Sequence, residues 1–70
     1  MFRIEIENQN KKMVVVFEFA GTLEDAMKKA EEQREWALYA LVSTEEATAF
    51  IWNLDIGGID AMLDEDGWDM

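Results

Sequence analysis

"WALYALVSTEEATAFIWNL", residues 36–54, decides how the rest of the chain is assembled. Its two ends, WALYALVS and ATAFIWNL, are apolar and carry aromatic and β-branched residues, and the polar TEE between them suits a tight connection. So read, the stretch is a hairpin of two strands. Each strand is then apolar on both faces: Trp36, Leu38, Ala40 and Val42 against Ala37, Tyr39 and Leu41, and Ala49 and Ile51 against Phe50, Trp52 and Leu54. Strands of that kind sit centrally in a sheet or under a cover. The alternative is a helix continuing through EEQREWALYAL (31–41), whose residues are strong helix formers.

Toward the N-terminus the pattern is plainer. Phe2, Ile4 and Ile6 alternate with Arg3, Glu5 and Glu7, the period of a half-buried strand. Asn8-Gln9-Asn10-Lys11 suits a hairpin turn. MVVVFEF (13–19) is a second strand, with Met13, Val15, Phe17 and Phe19 on one face. Gly21 interrupts it, and Thr22 is an N-cap for a helix over about 22–34 with the stripe Leu23, Ala26, Met27, Ala30. Glu24–Lys28 and Asp25–Lys29 are spaced for ion pairs along that helix.

Toward the C-terminus, Gly57-Gly58 ends the second hairpin. Ile59, Met62 and Leu63 fit one or two helical turns, which place Asp60 and Asp64 on one face. Asp66-Gly67 signals a turn, Trp52 is expected in the core, and Trp68 either folds back or anchors an interface. The expected fold is α+β: a β-β-α-β-β antiparallel sheet with one helix packed across a face and a short acidic C-terminal helix or tail. It is one domain over 1–70, a charge-balanced hairpin plus helix (1–34) followed by a wholly acidic hairpin plus tail (35–70). One narrow helix stripe cannot cover every apolar strand face, so the tail or a second copy, making a homodimer, is expected to cover the rest.

Composition removes several functions. The chain has no Cys and no His, hence no thiol nucleophile, no usual zinc set and no imidazole base. Ser43 is the only serine and has nothing to activate it. Asp64-Glu65-Asp66-Gly67 resembles the start of a calcium loop but has the wrong acid spacing, and Gly57-Gly58 leads into acids, the wrong sign for phosphate. No catalytic residue, metal or cofactor is expected. No apolar run reaches the length of a membrane span, and "MFRIEIENQNKK" does not read as a signal peptide, so a cytoplasmic location is expected. A net charge of −10 sets the chain against nucleic acid and anionic lipid alike. With half its residues hydrophobic, including three Trp and four Phe, it has the means to fold.

The distribution of charge is the functional signal. Residues 1–34 hold seven acids and all six bases; residues 35–70 hold nine acids and no base. Solubility alone does not require that segregation. Asp60, Asp64, Glu65, Asp66 and Asp69 are close enough in sequence to act within the ~8 Å screening length at physiological salt. Glu45 and Glu46, at the expected hairpin tip, join them, and Glu5 and Glu7 lie roughly 6–7 Å apart along their strand. Carboxylates at such intervals imitate phosphates for a DNA-binding groove.

In its size, its charge, its lack of Cys, His and Pro, and its acidic end "IDAMLDEDGWDM", the chain resembles the small acidic bacteriophage proteins that mimic DNA. Within that class it is most similar to the host-takeover inhibitors of the bacterial histone-like nucleoid protein HU. The class shares no motif, so no position is carried across by alignment. The resemblance implies a non-catalytic inhibitor, acting in the bacterial host cytoplasm, that covers the DNA-binding surface of a basic host protein. The competing expectation is a structural or regulatory interaction protein working through the apolar surface of the second hairpin, with Tyr39 and Phe50 as contacts.

Overall fold

The computed structural model describes residues 1–8, 12–40 and 46–69. The expected turn residues Gln9, Asn10 and Lys11, the strand residues Leu41 and Val42, and Ser43 and Glu45 lie outside the described residues. The elements are β1 (Phe2–Asn8), β2 (Met13–Phe19), α1 (Leu23–Ala40), β3 (Ala47–Asn53), β4 (Gly58–Asp64) and β5 (Gly67–Asp69). The strands form one sheet in the order β2-β1-β3-β4-β5, every neighbouring pair antiparallel. The expected α+β architecture, an antiparallel sheet with one helix across a face, is the observed one.

Two elements differ from the sequence reading. Residues 36–40 belong to α1, not to a strand. No Gly or Pro interrupts the chain between Thr22 and Gly57, and continuing the helix carries the buried stripe Ala26, Ala30 onward to Ala37. That extension lays about 27 Å of helix across the sheet. The second correction is at residues 58–64, which form β4 rather than a helical turn. Their apolar residues fit both periods, and pairing with β3 satisfies the backbone while burying Ala61 and Leu63. The acidic end then closes as a fifth strand, β5, instead of a helix or tail.

The local signals are otherwise met. Thr22 Oγ1 accepts from the Asp25 amide at 3.1 Å, capping α1. Asn8 and Lys12 close the first hairpin, the Asn8 amide donating to the Lys12 carbonyl at 2.9 Å. Gly57 and Gly67 take positive φ, 74° and 105°, at the two C-terminal turns. The Gly57 amide donates to the Asn53 carbonyl at 2.8 Å, and the Asp66 amide donates to Asp64 Oδ1 at 2.9 Å, an Asx turn. Neither Glu24–Lys28 nor Asp25–Lys29 forms an ion pair.

The core lies between α1 and one face of the sheet. Ile4, Ile6 and Ile51 are its largest fully buried side chains. Around them Ala26, Ala30 and Ala37 of the helix meet a sheet face carrying Ala47, Ala49 and Ala61. Small side chains on both layers let the helix sit close. Val15, Phe17 and Phe19 of β2 extend the same face. Met13 does not: the β1–β2 register shifts after Ile6, Met13 pairs with Glu7, and its side chain is exposed. A β-bulge thereby moves one expected core residue to the other side. Trp68 pairs with Leu63 and packs on the core, so it folds back.

Truncating Ile51 to Ala should lower stability by about 2–5 kcal/mol, and enlarging Ala30 to Leu by about 1–3 kcal/mol, whereas Tyr39→Ala should stay within about 0.5 kcal/mol. Urea denaturation followed by circular dichroism measures all three. An Ala30→Leu variant as stable as the parent would contradict close helix–sheet packing.

Candidate partner-binding surface

Antiparallel pairing puts directly opposed residues on the same face of a sheet. Phe2, Ile4 and Ile6 face the helix, so Arg3, Glu5 and Glu7 face away, and so do their partners. One row crosses all five strands on that open face: Val16, Glu5, Phe50, Met62, Asp69. Beside it runs a second, Glu18, Arg3, Trp52, Ile59, in which a register shift in the β3–β4 ladder sets Ile59 opposite Trp52. No described element covers this face. Val16 is 55% exposed and Ile59 48%, while Phe50, Trp52 and Met62 are half-buried.

The face therefore has an apolar band with acids on either side. Glu5, Glu7 and Glu18 lie on β1 and β2; Asp64 and Asp69 lie on β4 and β5. Two to three strand spacings separate β1 from these, about 10–14 Å. Within the band, Trp52 Nε1 donates to Glu5 Oε1 at 2.7 Å, and Arg3 Nη1 lies 4.0 Å from Glu5 Oε2. Glu5 is thus largely enclosed, with a side chain 16% exposed. Trp52 belongs to this open face rather than to the buried core, and its bond to Glu5 links β3 to β1.

The expected acidic site divides accordingly. Asp64 and Asp69 share the open face with Glu5 and Glu7, but at the far side of the apolar band. Asp66 is exposed at the β4–β5 turn. Glu65, in the same turn, reaches Arg34 Nη2 at 3.6 Å, toward the helix layer. Asp60 accepts from Asn53 Nδ2 at 3.0 Å. Glu46 is exposed just before β3, and Glu45 lies outside the described residues. So the acids expected to form one patch form two rims, with Asp60 and Glu65 engaged in holding the fold. Glu18, which alternation with Phe17 and Phe19 sets on the opposite face of its strand, was not among the expected site residues and joins the acids on the β1 side.

Arg34, the last base in the chain, is used internally. Its side chain is 14% exposed, and Nε donates to the Ala47 carbonyl at 2.7 Å. It ties α1 to the start of β3 and to the β4–β5 turn. On the helix side, Trp68 Nε1 donates to Glu31 Oε1 at 2.8 Å. Trp36 and Tyr39 are exposed, Tyr39 at 89%, beside Glu32 and Glu35 around a shallow depression on α1. Tyr39 and Phe50, expected on one apolar surface, stand on opposite sides of the molecule.

Among the described residues no three carboxylates gather where they could share a metal ion, and no helix is long and apolar enough to cross a membrane. No protein-family model, curated protein or solved structure matches the chain.

Replacing Arg34 with Met keeps the aliphatic stem but removes the bonds to Ala47 and Glu65. The expected loss is about 1–3 kcal/mol in urea denaturation, because the Ala47 carbonyl loses its buried donor. Lys28→Met, at an exposed helix position, should change stability by less than about 0.5 kcal/mol. Equal effects of the two substitutions would refute the internal role of Arg34.

Proposed function

We propose that this protein is a non-catalytic DNA mimic that occupies the DNA-binding surface of a basic protein in the bacterial host cytoplasm and excludes DNA from it. The observation that carries the reading is the pair of acidic rims on the open sheet face. Among the described residues Glu7 and Glu18 on one side and Asp69 on the other make no ion pair with a base, and the hydrogen-bond partner of Asp64 is its own turn amide. By strand count Glu7 lies about 10 Å from the strand of Asp64 and about 14 Å from that of Asp69, with Glu18 one strand further out, so the acids stand in two separated rows as the phosphates of two strands do. A basic surface built to contact two rows of phosphates meets negative charge at two edges. Between them, Phe50, Trp52 and Met62 offer apolar area to the aliphatic stems of arginine and lysine, with an aromatic face for a guanidinium.

Complementary charge of this kind raises the rate of encounter and sets specificity. It also makes binding sensitive to salt, since Glu18 and Asp69 are exposed and Glu7 and Asp64 are half-buried, all within reach of screening ions. The chain itself, at −10, is repelled by DNA, so it competes for the protein and not for the nucleic acid.

The test is displacement of labelled DNA from a basic DNA-binding protein, with HU as the first partner, by the parent and by the variant Glu7→Gln, Glu18→Gln, Asp64→Asn, Asp69→Asn. Asn at position 64 keeps the oxygen that accepts from Asp66, and Glu5, Asp60 and Glu65 are left untouched because they hold the fold. The variant should bind roughly ten- to hundredfold more weakly, about 1.4–2.7 kcal/mol, with an unchanged circular dichroism spectrum. Undiminished displacement by this variant would sink the two-rim reading. Displacement lost instead on Phe50→Asp alone, with no dependence on salt, would favour an apolar interaction module.

A further inference from the structure

The two edges of the sheet are built differently. β5, at one end, is three residues long, follows an Asx turn and carries Asp69. Short, charged edges resist pairing with another chain. β2, at the other end, has seven residues, MVVVFEF, with no Pro, no Lys and one acid, Glu18. Among the described residues no strand lies beyond it. A bulge disturbs its start, where the β1–β2 register slips between Val15 and Met13, and residues 15–19 then run regularly. A long, apolar, β-branched edge of this kind leaves a row of backbone groups ready to pair.

We infer that β2 pairs antiparallel with β2 of a second copy of this chain, joining the two five-stranded sheets edge to edge into a homodimer. Three features select a second copy as the occupant. The regular segment is self-complementary about Phe17: Val15 falls opposite Phe19 of the partner, on the helix-facing side, and Val16 opposite the partner's Glu18, on the open side. The edge strand carries one charge, Glu18, in seven residues, so two molecules of −10 approach along it at a small electrostatic cost. Face-to-face association through the open sheets instead brings the acids Glu7, Glu18, Asp64 and Asp69 of one copy over the acids of the other. Pairing also stops at two. Each molecule has one such edge, the contact is isologous, and the blunted β5 edges remain at the ends.

The two-fold axis stands perpendicular to the joined sheet, so both open faces point the same way. The dimer presents acidic rims from both copies on one continuous surface. The pairing does not depend on what that surface binds, and the two associations respond to salt in opposite directions. Dimerisation strengthens as salt screens the repulsion between like-charged copies, whereas capture of a basic partner weakens.

Sedimentation equilibrium of the chain alone, over a range of protein concentration at low and high salt, should show mass rising from 8.1 kDa toward twice that, more readily at high salt. Val16→Glu places a charge beside the partner's Glu18 at two symmetric sites and should weaken the dimer by about tenfold or more. Val16→Lys, beside Glu5 of its own sheet and Glu18 of the partner, should keep it. Circular dichroism checks that both variants fold. A mass of 8.1 kDa at every concentration and salt overturns the inference. So does a dimer unaffected by Val16→Glu but lost on Trp36→Ser with Tyr39→Ser, which would assign association to the helix.

Discussion

The contact between alanines of the helix and alanines of the sheet is the constraint on which this structure rests. Ala26, Ala30 and Ala37 bring α1 against a sheet face that presents Ala47, Ala49 and Ala61, and the three buried isoleucines fill the space around that seam. A helix held that close excludes water from one face with few large side chains, which a 70-residue chain has little choice but to do. The consequence reaches the other face. With one helix used on one side, nothing of the described chain remains to cover Phe50, Trp52, Met62 and Ile59, and the open face is left apolar at its centre.

What the sequence made legible follows from how many physical readings each segment allows. Residues 2–7 alternate and 13–19 are β-branched and aromatic, and strand is the reading that suits both; Thr22 caps the helix that follows. Residues 36–40 allow two, because Trp, Leu, Tyr and Ala serve either period, and the choice was made by Ala37 falling in line with Ala26 and Ala30 against a sheet the local sequence does not contain. Residues 58–64 allow two for the same reason, and β3, which is seven residues long and needs a partner on its far side, decided for strand. Met13 was misplaced by a bulge, a feature that single-strand alternation cannot register. The compensation is partial: exchanging a strand for a longer helix, and a helical turn for a strand, preserved the order β-β-α-β-β.

The site was legible in charge and not in place. Segregation of the bases into residues 1–34 is a fact of the chain, yet it says nothing about which acids have partners. The structure separates them. Glu5, Glu31, Asp60 and Glu65 each meet a donor of the fold: Trp52, Trp68, Asn53 and Arg34 respectively. Asp55 lies 3.3 Å from the Met1 amino group. Glu7, Glu18, Asp66 and Asp69 have no such partner among the described residues. Indole and amide donors serve Glu5, Glu31 and Asp60, and the cation Arg34 serves Glu65. A chain in which Arg34 is the last base, and is itself enclosed, leaves its remaining carboxylates uncompensated at the surface.

That division also explains why the apolar open face need not be a defect. Two such faces cannot close on each other without opposing both acidic rims, and the screening length of about 8 Å at physiological salt does not relieve charges brought into contact. The rims therefore act in two senses: they repel another copy of the same face and attract a surface of opposite sign. The edge strand β2 carries a single acid, Glu18, among three valines and two phenylalanines, so it is the less charged of the two surfaces. Face and edge thus differ in the kind of molecule each admits, and the difference comes from where the alternation of β1 and β2 places charge: outward across the sheet, and almost none along its rim.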